Sequence, residues 1–442
     1  MLYRLHSNIL IVGLLSIGLL GALALERSFC LMTLGTLLAY VTQLGLLMYF
    51  SRDERQRLSE KVLFFTVLLY SLFIGTAFML ISVYYSGDTF MLSKSDAWFY
   101  YENSMKTRDI GLAANVKRIV GRYEFDDCGA LIFDSLMMAI IPSKFFLNAI
   151  YMITGAFSAL MLFRIGLHFM PRIYAYLAAL AYGTSSFLIF FHCSFLKESI
   201  FIFLVVCALY YFYKAVFDQK QVAYAGVALS LGLILFFRPA ISALLLMAFL
   251  MYFAVSQRGK AISLMLYILI AGLLVVFFTT LQGLMVNYTG GDMDALVDYG
   301  RAYDYSSGFS RFVAWFAAPF GPFPSLFPKV AGQPILINYY GAGLTYRLFL
   351  AVPLWLGVYF LLRQRETKMI PLAAFVLLGM LATGYVMATL ELRKVMTHIP
   401  FTYILAFYGL YQWERREKGL IAEPLFHGFA IGVLILWTLI RG

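Results

Sequence analysis

Long apolar runs recur along most of this sequence and limit what it can fold into. A helix needs about 20 predominantly apolar residues to cross the roughly 30 Å hydrocarbon core of a bilayer. On that criterion we predict about thirteen spans, near residues 8–25, 29–50, 62–85, 145–167, 174–192, 199–213, 223–237, 240–256, 261–283, 346–362, 369–389, 398–413 and 424–440. The shorter runs could be tilted or re-entrant pieces. The predicted fold is all-α: a polytopic transmembrane helical bundle that forms a single domain over residues 1–442.

The composition supports a membrane protein and excludes other classes. Of the 442 residues, 62% are hydrophobic and 13% are charged, against about 45–50% apolar and about 25% charged in soluble domains. The net charge of +11 does not indicate nucleic-acid binding, because most Lys and Arg residues lie at the ends of apolar runs, beside anionic headgroups. The four cysteines are scattered without a C-x-x-C pair, so neither a disulfide framework nor a zinc site is indicated.

Short basic clusters alternate with the predicted spans and give them an orientation. These clusters lie at 51–61, 171–172, 214–220, 257–260, 363–368 and 413–419. Positively charged loops favour the cytoplasmic side, so we predict that these loops and the N-terminus are cytoplasmic. The two long polar connections, 86–144 and 284–345, then both face outward. Within the first, residues 97–119 are compatible with one or two short helices at the membrane interface.

Five ionisable residues at outward helix ends are candidates for a binding site. They are Lys197, Glu198, Arg238, Arg393 and Lys394. Ionisable groups at membrane depth are functional candidates by default, and the four cations together could hold a phosphate or pyrophosphate. Two alternatives remain: the long basic side chains could extend to lipid headgroups, or Lys197 could simply pair with Glu198.

Acidic residues gather in the first outward loop, where SDAWFYYEN interleaves them with aromatics. A carboxylate beside a cationic site can accept a proton from a sugar hydroxyl as that hydroxyl attacks. Asp96 is therefore the candidate base, and base action suits an inverting displacement. Alternatively, Ser95-Asp96 could cap a loop helix. The adjacent acids Asp126 and Asp127 could bind a divalent metal, Mg²⁺ or Mn²⁺, with phosphate oxygens, although solvation is the favoured interpretation of this pair.

At these residues the chain resembles the GT-C class of integral-membrane glycosyltransferases, in particular bacterial proteins of surface-polysaccharide gene clusters. Asp96 and Tyr100 in SDAWFYY match the class's acidic first outward loop. Four further segments match its layout: Pro142 to Asn148, Lys197-Glu198, Arg238-Pro239, and Arg393 followed by Pro400. Two spans precede the acidic loop here, where many members have one.

The resemblance implies a glycosyltransferase or a polysaccharide repeat-unit polymerase at the outer face of a bacterial inner membrane. Such an enzyme takes sugar from a polyprenyl-(pyro)phosphate carrier, so its partners are a polyprenyl-linked saccharide and membrane lipids. It implies that Asp96 is the base, that Tyr100 serves the acceptor side, and that the basic set holds the carrier. The alternative is a transporter or flippase for such lipids, which would more often show repeated halves. A membrane acyltransferase would need a functional histidine, for which only His192 and His398 are candidates.

Overall fold

The computed structural model describes residues 2–23, 31–52, 58–87, 94–123, 125–256, 342–343, 345–382 and 396–416, with single residues at 272, 428 and 432. The described residues form helices joined by turns, and no strand occurs among them. The all-α prediction is therefore confirmed. The predicted spans at 261–283 and 424–440, and nearly all of the predicted loop 284–345, lie outside the described residues.

The helices follow the apolar windows of the sequence. They are α1 (Leu2–Leu23), α2 (Leu31–Arg52), α3 (Glu60–Ser86), α4 (Lys94–Ile110), α5 (Leu112–Arg122), α6 (Phe125–Ile140), α7 (Lys144–Gly166), α8 (Arg172–Gly183), α9 (Ser186–Cys193), α10 (Glu198–Val216), α11 (Ala223–Leu235), α12 (Pro239–Ser256), α13 (Ala351–Gln364), a 3-10 turn (Thr367–Met369), α14 (Ile370–Met380) and α15 (Ile399–Arg416). Within the described part of the chain, α3, α7, α10 and α12 are each long and apolar enough to cross a bilayer. The chain is a membrane protein, and the total of about thirteen spans stays a prediction.

The predicted span at 174–192 contains a break: α8 and α9 are two helices bent by 45°, which together are long and apolar enough for one broken span or a re-entrant loop. The hydroxyls of Thr184 and Ser185 each donate a hydrogen bond at 2.7 Å to a backbone carbonyl four residues earlier. Such bonds compete with the helical ladder. A distant segment also meets the break, since the Gly343 N–H donates to the Ser186 hydroxyl at 2.8 Å.

The described residues in or beside four of the basic clusters, 51–61, 171–172, 214–220 and 363–368, meet at one end of the bundle, which we call the basic end. There Arg164, in the last turn of α7, contacts both oxygens of Glu60 at the start of α3, at 2.9 and 2.6 Å. The Arg172 guanidinium donates to the Leu58 carbonyl at 2.8 Å, and the Tyr213 hydroxyl donates to the Lys368 carbonyl at 2.8 Å. For these four clusters the contacts agree with the prediction that the basic loops share one side, whereas 257–260 lies outside the described residues.

Three helices, α4, α5 and α6, connect α3 to α7 at the opposite end, which we call the loop end. The sequence predicted one or two short helices within 97–119, so the ordered part of this connection is larger than expected. Its centre is the buried Asn115, whose amide nitrogen lies 3.0 Å from the Asn103 carbonyl, 2.8 Å from the Thr107 hydroxyl and 3.0 Å from the Ser135 hydroxyl. These bonds join the three helices into one packed layer.

Candidate functional site

Helix α6, which belongs to the loop-end layer, contacts the junction between α11 and α12. The Gly129 N–H donates to the Phe236 carbonyl at 2.9 Å. Gly129 also packs so closely on the Phe237 ring that a Cβ there would lie 2.7 Å from it. Arg238 follows directly in the sequence. The close approach therefore fixes α6 beside an arginine that the sequence analysis identified as a candidate.

Arg238 forms an ion pair with Glu198, the first residue of α10. The Arg238 Nη2 lies 3.1 Å from the Glu198 Oε1, and the side chains are 25% and 1% exposed. The guanidinium carbon lies 5.5 Å from the centre of the Phe201 ring. A guanidinium has five N–H donors in a fixed plane, so one carboxylate oxygen orients the group without using all of its donors.

Tyr151 on α7 connects this ion pair to the loop-end layer. Its hydroxyl donates a short hydrogen bond to the Asp134 carboxylate on α6. Both side chains are buried, each 1% exposed. Tyr151 also lies within electrostatic range of Glu198 on α10 and of Tyr100 on α4. We call Tyr100, Asp134, Tyr151, Glu198 and Arg238 the Tyr151 cluster.

The Asp134 carboxyl has an unusual acidity for an aspartate. It lies on α6, outside the predicted spans, and burial raises its pKa to about 7, while the hydrogen bond from Tyr151 opposes that rise. Burial penalises the charged form because the carboxylate loses its water. This group therefore gains or loses its proton near neutrality.

The raised pKa of Asp134 predicts how stability depends on pH. Between the ordinary pKa of 3.8 and the folded value of about 7, the folded protein binds more protons than the unfolded chain. Its stability should therefore fall as the pH rises through that window. We expect the thermal unfolding midpoint of Asp134→Asn to decline less than that of the wild type between about pH 4.5 and about pH 7.5. Parallel declines in the two proteins would contradict the prediction.

Among the predicted site residues, the structure pairs Glu198 with Arg238 and places Asp96 one turn from Tyr100 on α4. Tyr100, Glu198 and Arg238 all belong to the Tyr151 cluster. Asp96 is half-buried in the first turn of α4, one turn before Tyr100, and residues four apart share a helix face. Because α4 begins at Lys94, Asp96 lies inside the helix and not at its cap. Its role as a base stays a prediction.

Of the remaining predicted cations, the structure describes one and not the other two. Lys197 precedes α10 and is 8% exposed. Glu198 pairs with Arg238, and the alternative in which Lys197 also pairs with Glu198 stays a prediction. Arg393 and Lys394 lie outside the described residues, so their part in the site stays a prediction.

Sequence reasoning missed Asp134 and Tyr151. Asp134 lies in the run CGALIFDSLMMAI at 128–140, which the sequence analysis placed within the outward connection 86–144. A carboxyl inside an apolar run is costly unless it has a hydrogen-bond partner. That cost was a signal for Asp134, whereas nothing distinguishes Tyr151 among the 31 tyrosines.

The metal prediction is not tested by the described side chains. Among the side chains that the structure describes, no group of three or more His, Cys, Asp or Glu could hold a metal ion. The side chains of Asp126 and Asp127, in the first turn of α6, lie outside that set. A role for this pair in binding Mg²⁺ or Mn²⁺ stays a prediction.

Solved structures similar to this chain exist, but no protein-family model and no curated protein matches it. One is the archaeal oligosaccharyltransferase AglB from Archaeoglobus fulgidus in complex with an inhibitory peptide and a dolichol-phosphate, at 14% identity and a TM-score of 0.46, covering 86% of this chain and 55% of that chain. Another is the Archaeoglobus fulgidus oligosaccharyltransferase in its apo form, at 14% identity and a TM-score of 0.47, covering 86% and 54%. This chain thus spans about half the length of either protein.

Proposed function

We propose that this protein is a membrane glycosyltransferase or polysaccharide repeat-unit polymerase. It transfers sugar from a polyprenyl-(pyro)phosphate carrier to an acceptor hydroxyl, and the carrier phosphate binds at Arg238. The observation that carries the proposal is the Glu198–Arg238 pair, with Arg238 partly exposed and its partner buried at the loop end. A cation held in this way at the rim of a helical bundle suits an anionic headgroup whose tail lies in the membrane.

The groups around Arg238 fit the two halves of such a carrier. Glu198 holds the guanidinium by one nitrogen, and the remaining N–H donors can bind a phosphate in bidentate fashion. Lys197, adjacent to Glu198 in the sequence, adds a second positive charge. The neighbouring side chains of Leu235 and Phe236 are each 41% exposed and supply an apolar surface for the isoprenoid chain.

The proposed reaction is a single displacement at the anomeric carbon. The acceptor oxygen forms a bond to that carbon while the bond from the carbon to the carrier phosphate oxygen breaks. Asp96 takes the hydroxyl proton, and Arg238 with Lys197 stabilises the negative charge that develops on the leaving phosphate. Attack opposite the leaving group inverts the configuration at the anomeric carbon.

The side of the membrane on which this happens follows from the basic loops. Glu60–Arg164, Arg172 and Lys368 meet at the basic end, and positively charged loops favour the cytoplasm. The loop end would then face outward, which supports a reaction on the outer side of the membrane; a bacterial inner membrane is what the sequence resemblance implies.

Asp96→Asn tests the proposal directly. Purified protein in lipid nanodiscs is incubated with a polyprenyl-pyrophosphate-linked oligosaccharide, and mass spectrometry detects longer glycans and released carrier. We expect Asp96→Asn to lower the rate of product formation roughly 100-fold or more, because general-base catalysis contributes at least that much.

A matched control lies on the same helix. Asp109, exposed in the last turn of α4, loses the same charge in Asp109→Asn, and we expect wild-type turnover from that variant. Equal turnover in Asp96→Asn and Asp109→Asn would remove Asp96 as the base. Translocation of the lipid across vesicles without any covalent change would instead support the transporter alternative.

A further inference from the structure

We propose that a cavity at the basic end binds the phosphate of a phospholipid headgroup. The cavity lies where the ends of four helices meet, and the residues that line it include Tyr3 of α1, Ser51 of α2, Tyr174 of α8, and Tyr411 and Arg415 of α15. Its volume is about 480 Å³, within the range of about 300–1,000 Å³ that is usual for ligand sites. The site is at the end of the bundle opposite to the Tyr151 cluster, so binding there can be measured without glycosyl transfer.

Tyrosine hydroxyls supply hydrogen-bond donors to this cavity. The Arg52 guanidinium donates a hydrogen bond to the Tyr3 hydroxyl and lies 4.2 Å from the centre of its ring, so Tyr3 keeps its own proton to donate to a ligand. Tyr174 is only 6% exposed and packs against Tyr411, with ring centres 5.4 Å apart. Within the described part of the chain, the hydroxyls of Tyr174 and Tyr411 form no hydrogen bond.

Arg415 supplies a positive charge to the same wall. It is exposed in the last turn of α15, and no hydrogen bond or ion pair joins its side chain to another described residue. A guanidinium has five N–H donors and no acceptor, so the arginine and the three tyrosines make the wall rich in donors. A phosphate group offers only acceptors and a negative charge, and two of its oxygens match the guanidinium fork.

The position of the cavity indicates a lipid as the source of the phosphate. Tyrosines and basic residues are typical of the depth at which lipid headgroups lie, and basic pockets between helices on the cytoplasmic side suit anionic headgroups. Leu2 and Ile173 add apolar surface to the wall. On α1 and α2, Ile11 and Tyr49 are 53% and 49% exposed, so acyl chains can pack along these two helices.

The probe for this site is dioctanoyl-phosphatidylglycerol, whose headgroup contains a phosphodiester. The full-length protein in an uncharged detergent is titrated with this lipid, and native mass spectrometry measures the bound fraction. We expect saturable binding that raises the thermal unfolding midpoint, because a ligand of the folded state stabilises it. Two related compounds separate the possible sources of phosphate: dioctanoylglycerol lacks the phosphate, and glycerophosphoglycerol lacks the acyl chains. We expect each to bind far more weakly than the lipid.

Two substitutions in the wall should weaken binding. Arg415→Gln removes the guanidinium and should weaken binding roughly tenfold or more, the usual effect of losing a hydrogen bond to a charged group. Tyr174→Phe removes only a hydroxyl from a ring that stays packed against Tyr411, and it should weaken binding about threefold. The thermal midpoint without lipid verifies that each variant is folded.

Arg363→Gln is the matched control. Arg363 is an exposed arginine in the last turn of α13, where it donates to the Tyr359 hydroxyl at 3.0 Å. Its replacement removes the same charge from the same end of the bundle, but Arg363 does not line the cavity. We therefore expect Arg363→Gln to bind the lipid with wild-type affinity.

Glu414, which also lines the cavity, tests the sign of the ligand's charge. A carboxylate disfavours a neighbouring anion and favours a neighbouring cation. Glu414→Gln should therefore bind the lipid as tightly as the wild type or more tightly. Weaker binding by this variant would indicate a cationic ligand and would contradict the proposal.

Three further results would overturn a phospholipid site in this cavity. Unchanged affinity in Arg415→Gln would show that the lipid binds elsewhere. Equal losses in Arg415→Gln and Arg363→Gln would show a general attraction of the basic end for anions. Binding of dioctanoylglycerol or of glycerophosphoglycerol as tight as that of the lipid would show that the cavity recognises acyl chains alone or a soluble phosphate.

Discussion

Replacing Arg238 with alanine should weaken binding of a polyprenyl phosphate roughly 100-fold or more and reduce glycosyl transfer below detection. Truncating one partner of a buried, hydrogen-bonded charge pair typically costs about 2–5 kcal/mol. Here the same change removes the donors offered to the phosphate and leaves the buried Glu198 carboxylate without the guanidinium that it contacts at 3.1 Å. Arg238→Lys should bind with intermediate affinity, because lysine keeps the charge but lacks the planar fork.

The chain supplies a matched control at the basic end. Arg164 also contacts a glutamate, Glu60, at 2.6 Å, but both side chains are about 40% exposed. Exposed ion pairs contribute only about 0–1 kcal/mol to stability, so Arg164→Ala should leave lipid binding unchanged and lower the thermal midpoint only slightly. Wild-type affinity in a folded Arg238→Ala protein would show that the phosphate binds elsewhere.

The positions of the described helices were largely predictable, because crossing a bilayer imposes a length and composition that a sequence displays directly. The run at 199–213 shows the precision of that reasoning, since the helix extends over Glu198–Val216. The break between α8 and α9 was not predictable. Nothing in the apolar pattern shows that the Thr184 and Ser185 hydroxyls turn back onto their own helix, or that Gly343 packs there.

For the candidate site, the sequence could identify individual residues but could not show which of them are in contact. The cost of charge at membrane depth identified Glu198 and Arg238 separately. Their partnership joins residues that are 40 positions apart, and spacing carries no information on which helix ends adjoin. Asp134 and Tyr151 were missed for the same reason, since their importance comes from contacts between α6, α7 and α10 and not from a local motif.

The second large effect concerns stability and the crossing of α13 and α15, the most extensive contact between any two of the described helices. Gly357 on α13 and Gly409 on α15 let the two backbones touch there. A Cβ at Gly357 would overlap the Leu405 carbonyl, and a Cβ at Gly409 would overlap the Pro353 carbonyl. Small residues permit this close approach in membrane helices.

A single methyl group should therefore force these helices apart. The obstructing atoms are backbone, which cannot rotate out of the way as a side chain can. We expect Gly357→Ala and Gly409→Ala each to destabilise the protein by about 1–3 kcal/mol, the usual cost of overpacking. This loss outweighs the gain of about 1 kcal/mol that alanine brings to a helix interior. The effect is measured by thermal unfolding in detergent, monitored as the fraction of protein that remains monodisperse at each temperature.

Gly45 on α2 supplies the contrast that makes this test decisive. A Cβ added at Gly45 would meet no heavy atom within 4 Å, so Gly45→Ala should raise the unfolding midpoint or leave it unchanged through helix propensity alone. Replacing glycine with alanine should then lower the unfolding midpoint at Gly409 but raise it or leave it unchanged at Gly45. The two helical positions differ in that only Gly409 contacts the backbone of another helix. If Gly409→Ala is as stable as Gly45→Ala, α13 and α15 do not cross with their backbones in contact at these residues.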